Sequence, residues 1–142
     1  MAMTLQDIGF DLANFKLGLA ERNVKLPAAT WNQLVAEVKV DDIVARARER
    51  VQYRKWEGTP LGQLRTEAEV REHFGMGPDN VAYEVLVDGR RAYFQYCDPD
   101  GSLLTEADWE ESAKKLCERV VRQLARDEIS RILTDKAIDA SV

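Results

Sequence analysis

The sequence predicts a predominantly helical α+β domain with a central antiparallel β-hairpin and a long C-terminal helix. Three observations carry this. Apolar residues recur at helical spacing near both ends, as in Leu5, Ile8, Leu12, Phe15 and Leu19 and again in Trp109, Ala113, Leu116, Val120 and Leu124. Two runs rich in Val, Tyr and Phe, 81–87 and 91–97, flank Asp88-Gly89, whose residues tolerate the positive φ of a tight hairpin turn. A chain of 142 residues, 45% hydrophobic and 32% charged, is long enough to bury one core without disulfides or metals, so one domain over 1–142 is the default.

An N-terminal helical part over about 4–74 comes first. Thr4 can cap a helix running to about Glu21, with Asp7 in its first turn. Asn23 and Pro27 interrupt the pattern, and Thr30 can cap a short second helix carrying Trp31, Leu34, Val35 and Val38. Asp41 and Asp42 read as the acidic start of a third helix reaching about Trp56. Gly58, Thr59, Pro60 and Gly62 break the chain, after which Thr66 and Glu69 have the spacing of a capping box and Gly75 suits the end of a fourth helix. The hairpin over 81–97 alternates Tyr83, Val85 and Val87 with Glu84 and Leu86. A lone hairpin is marginal in water, so it must pack on helices or pair with a further strand. Asp98-Pro99-Asp100-Gly101 is a turn, and Thr105 can cap a helix over about 106–133, with Asp127-Glu128 as a candidate kink and a frayed tail over 135–142.

Charge narrows the function classes. Twenty Lys and Arg against 25 Asp and Glu give a formal charge of −5, which disfavours global attraction to nucleic acid or anionic lipid. No segment approaches the roughly 18 apolar residues of a membrane span, and no basic stretch followed by an apolar run opens the chain; a soluble, cytoplasmic protein with no membrane partner is the simplest expectation. Cys97 and Cys117 lack metal or redox spacing and read as small buried apolar residues.

Several motifs bear on chemistry. Asp98, Asp100 and the later Asp108 resemble a shortened EF-hand loop, making them a weak calcium candidate. Ser102 and Leu103 stand where a third acidic ligand and the glycine belong, so a plain turn joined to a capped helix is the better reading and no cofactor is expected. Residues 43–56 carry five cations against Glu49, and Arg46, Arg50 and Arg54 fall at i, i+4 and i+8 of the expected third helix. Arg119, Arg122 and Arg126 repeat the pattern in the last helix. Such stripes can bind phosphates, although a charge run is more often a solvated face. His73, the only histidine, is expected at the surface, and Glu69, Glu72 and Glu84 are loose acid/base candidates. Without a nucleophile elbow, a Walker lysine or a paired metal motif, the sequence leans away from an enzyme. Tyr93 and Tyr96 beside Arg90 and Arg91 have the aromatic-plus-arginine composition enriched at protein interfaces. The leading expectation is a protein-binding or regulatory module whose partner is another protein or a second copy paired through the hairpin edge. Nucleic-acid binding through the arginine stripes is the alternative. An enzyme or small-ligand binder with a pocket between hairpin and helices comes third.

Overall fold

A computed structural model describes residues 2–141. The fold is α+β and predominantly helical: helices α1 (Leu12–Glu21), α2 (Ala28–Ala36), α3 (Val40–Glu49), α4 (Glu67–Phe74) and α5 (Trp109–Ala140), with strands β1 (Val51–Lys55), β2 (Tyr83–Val87) and β3 (Arg90–Gln95). It groups into two compact units, Met1–Glu49 with Val121–Val142, and Arg50–Val120. Among the described residues no helix is long and apolar enough to cross a membrane.

The helical unit begins with a correction. Thr4 does cap, its hydroxyl accepting from the Asp7 N–H at 3.2 Å while Asp7 accepts from the Thr4 N–H at 2.7 Å, but it caps only the single 3-10 turn Gln6–Ile8. Gly9 at φ +74° ends that turn, because a left-handed residue cannot continue a right-handed helix. Asp11 then starts α1 afresh by accepting from the Asn14 N–H at 3.0 Å. Pro27, not Thr30, stands at the N-cap of α2, its fixed φ compatible with helix entry. Leu19, Trp31 and Ala137 form a core cluster with Phe15, Val24, Leu26 and Leu34 packed on it. The Arg126 guanidinium donates to the Ile8 carbonyl at 2.8 Å, and Lys136 pairs with Glu37 at 2.9 Å.

The C-terminal helix also departs from expectation. It is unbroken at Asp127-Glu128, since the buried stripe is Val121, Ala125, Ile129, Leu133 and Ala137 at intervals of four, and the acidic pair falls between stripe positions. Glu128 instead pairs with Arg131 one turn on. The expected fraying over 135–142 does not begin at Asp135, because burial of Ala137 holds the helix to Ala140; Val142 lies outside the described residues.

The second unit is built on an antiparallel sheet of order β1-β2-β3. The hairpin turn is as expected, with φ of 53° at Asp88 and 80° at Gly89. The extra strand β1 replaces the last third of the expected third helix, and it is the further pairing that the hairpin needs. Val51, Tyr53 and Lys55 are half-buried while Gln52 and Arg54 are exposed, the two-residue period of a strand. The fourth helix is as read: Thr66 accepts from the Glu69 N–H at 3.1 Å, and Gly75 closes the C-terminus. Central β2 is buried at Tyr83, Glu84, Val85 and Leu86, that is, on both faces.

Candidate functional site at the β3 edge

Register assigns every side chain of the sheet to one of two faces. Tyr53, Val85 and Tyr93 lie in one row, with Lys55, Tyr83 and Gln95 in the next. The start of α5 covers this face. The Tyr83 hydroxyl bonds with Ser112 Oγ at 3.2 Å, the Tyr53 hydroxyl donates to Glu110 at 2.8 Å, and Trp109 stacks within 6.5 Å of both rings. Burial raises the Tyr83 phenol above the ordinary tyrosine range, whereas for Tyr53 the hydrogen bond to Glu110 is the larger cause of a shift in the same direction. On the opposite face Arg54, Glu84 and Phe94 form a row, flanked by Gln52, Leu86 and Arg91. A core of Trp56, Val70, Met76 and Ala82 lies here, with Phe74, Phe94 and Tyr96 packed against it.

Glu84 is the chemical centre of that second face. Its side chain is 1% exposed and is held by two arginines, Arg54 Nε from β1 at 3.0 Å and Arg91 Nε from β3. Arg91 continues outward to the Thr59 hydroxyl at 2.7 Å and the Pro60 carbonyl at 3.0 Å, fixing the loop after β1. A buried carboxylate held by two charge-assisted pairs has the partners burial demands. Arg91 reaches Glu84 because of a bulge. Val85 pairs with Tyr93 but Leu86 with Arg91, so Ala92 is an extra residue, and the strand turns over between positions 91 and 93. Without it, Arg91 would share the face of Tyr93, away from Glu84.

The four residues expected to form one contact surface are therefore divided. Arg90 and Tyr93 lie on the α5 face and are exposed, Tyr93 at 42%. Arg91 turns inward to Glu84 with its side chain 28% exposed, and Tyr96 packs on Phe74 at 4.5 Å between ring centres. What remains accessible is the edge of β3, the last strand in the sheet, carrying Arg90 and Tyr93.

The arginine stripes are divided as well. The third helix stops at Glu49, so Arg46 is on α3, Arg50 follows it, and Arg54 is on β1, and the expected i, i+4, i+8 face does not exist. The cause is tertiary: strand pairing with β2 overrides the helical spacing. Arg50 makes a two-pronged bond to Asp88 at 2.9 and 2.8 Å, which lowers the Asp88 carboxyl below its ordinary range. Arg54 serves Glu84, and Arg126 serves Ile8 and Gln123; Arg46, Arg119 and Arg122 are exposed, as are the outer parts of Arg50 and Arg54.

The calcium candidate dissolves into turn chemistry. Asp100 accepts from the Ser102 N–H at 2.9 Å, which lowers its carboxyl, and Asp108 accepts from the Thr105 N–H at 2.6 Å as a cap of the turn before α5. Among the described residues no group of three or more His, Cys, Asp or Glu could hold a metal. His73 is exposed against Phe74, and both cysteines are free and half-buried, not fully buried as expected. Burial pushes the Cys117 thiol up.

Two cavities bear on the small-ligand reading. One of about 300 Å³ lies between hairpin and α5, lined by Tyr83, Cys97, Ser112 and Arg119 among others. A larger cleft of about 620 Å³ is bordered by Lys55, Glu67, Arg71 and Glu106. Both of its cations are paired, Lys55 with Glu106 and Arg71 with Glu67 at 3.4 Å, Lys55 thereby lowers the Glu106 carboxyl, and Glu57 and Asp79 also line it.

Sequence reading named Glu84 without its partners, and it missed Thr59 and Pro60 as the anchor of Arg91. The alternation Val51, Gln52, Tyr53, Arg54, Lys55 was the signal that could have revealed β1 and hence the pairing of Arg54 with Glu84. In comparisons with known proteins, the chain matches no family model, no curated protein and no solved structure.

Proposed function

We propose that this chain is a cytoplasmic protein-binding module whose contact surface is the open edge of β3, with Arg90 and Tyr93 as its recognition side chains. The observation that carries this is a large aromatic, Tyr93, standing exposed beside an arginine on a strand that has a neighbour on one side only. Such a strand can extend its sheet by pairing with an extended segment of another chain, main-chain bonds giving affinity and alternate side chains giving specificity. Tyrosine and arginine suit the role, because each covers apolar area and keeps a hydrogen-bonding end. The Ala92 bulge and Arg90 guard the edge against indiscriminate pairing, which leaves an acidic extended segment as the preferred occupant. A second copy paired edge to edge is the self-association form of the same reading.

The test compares wild type with Tyr93→Ala and Arg90→Glu in capture of a defined protein partner and in sedimentation over a range of concentrations. Either variant should weaken the association about tenfold or more, as loss of an interface anchor does, while leaving the melting temperature within about 2 °C. An association that both variants retain at full strength would overturn the reading.

A further inference from the structure

The helical unit carries an apolar groove that its own core does not fill. Leu17 on α1 is 61% exposed, the most exposed of the large apolar side chains among the described residues. It borders a cavity of about 390 Å³ whose apolar walls include Val24, Leu26 and Trp31. Ala13, Ala20 and Ala28 provide small positions in the lining, where another backbone can come close. The only charged residues in the lining are Lys16 and Lys25, in a chain of net charge −5. Lys16 is held in place by the Trp31 ring, its ammonium 5.7 Å from the ring centre.

From these features we infer that the groove docks an acidic amphipathic helix of a partner protein. Apolar side chains of that helix, one turn apart, would occupy the space between Leu17 and Leu26, and flanking carboxylates would meet Lys16 and Lys25. An apolar trough with small residues in its lining suits a helix laid lengthwise, read through anchors at i, i+3 or i+4 and i+7. The sign of the rim selects the partner: two cations without an acidic lining residue favour carboxylates and reject a basic helix. This surface is separate from the β3 edge and stands or falls independently of it.

The probe is a synthetic helical peptide with leucines on one face and glutamates on its flanks, titrated into the full, isotopically labelled chain and followed by amide and indole chemical shifts. Shifts should concentrate at Lys16, Leu17, Val24 and Trp31. Lys16→Glu combined with Lys25→Glu should weaken binding about tenfold, and raising the salt should weaken wild-type binding in the same direction. Leu17→Asp, an exposed change that leaves the fold intact, should also weaken it, whereas Tyr93→Ala should bind as wild type does. Four results would each overturn the inference: equal binding of the same peptide with lysines for glutamates, shifts outside the groove, concentration-dependent shifts at Leu17 without peptide, or displacement of the peptide by a medium-chain fatty acid at equal concentration.

Discussion

The two faces of the sheet solve the same burial problem with different chemistry. On the α5 face, Tyr83 packs against Trp109, and its buried polar contact is between neutral hydroxyls, its own and that of Ser112. On the face behind it, the equivalent position in the same strand is a carboxylate, Glu84, buried as completely as Val85 and held by an arginine from each neighbouring strand. A hydroxyl that loses its partner is a modest cost, whereas a buried charge that loses its partner is a large one. The second face is thus the more brittle, and its cost of failure is unequal between the two arginines.

The largest effect should come from Arg91→Met, which keeps the side-chain length but strands Glu84 and frees the loop at Thr59 and Pro60. About 3 kcal/mol of stability should be lost, read as a fall in the urea midpoint at unchanged slope. Adding Glu84→Leu to the same chain should restore most of it, since an apolar pair replaces a broken ionic one. A double variant no more stable than Arg91→Met would show that the loop anchor, not the carboxylate, carries the cost. Arg54→Met should lose only about 1 kcal/mol, because the Arg54 side chain is 55% exposed and water can take its place.

On the neutral face, Tyr83→Phe should cost about 1 kcal/mol or less, the worth of one hydroxyl bond. The smallest effect separates the faces by pH. Tyr83 and Tyr53 both titrate above the ordinary value of 10.0, so the fold holds their protons more tightly than the unfolded chain does. Their contribution is complete below about pH 10 and is lost as the pH rises through the higher folded-state values. Phenolate absorbance and denaturant midpoints from neutral to strongly alkaline pH should show stability falling there, less steeply in Tyr83→Phe. An unchanged midpoint across that range would contradict the burial of the Tyr83 phenol.

What could be read in advance divides along similar lines. The Asp88-Gly89 turn, the Thr66 and Glu69 capping box and Gly75 are local devices, each complete within a few residues, and each stands where the sequence placed it. The arginine stripe was read against a helix that ends at Glu49, because Arg46, Arg50 and Arg54 have helical spacing while the competing alternation over 51–55 depends on a partner strand some 30 residues away. Strand β2 was legible as a strand, but its buried side was not: burial on both faces removes the contrast between them, and Glu84 looks like a surface residue until its two arginines are in view. The bulge had no signal in the sequence reading, since the side chain of Ala92 carries nothing that sets it apart as the residue left out of the ladder.

That bulge sets a limit on how the chain can vary. Because Ala92 is the residue by which β3 is one longer than its partner requires, drawing it into regular pairing would send Arg91 to the face of Tyr93, whereas deleting it would leave an unbroken alternation with Arg91 still opposite Leu86, on the side of the buried carboxylate. Amino-acid replacement at this position is tolerated wherever the backbone accepts it, provided the residue stays outside the ladder. The central sheet is therefore a segment whose register is under tighter constraint than its composition.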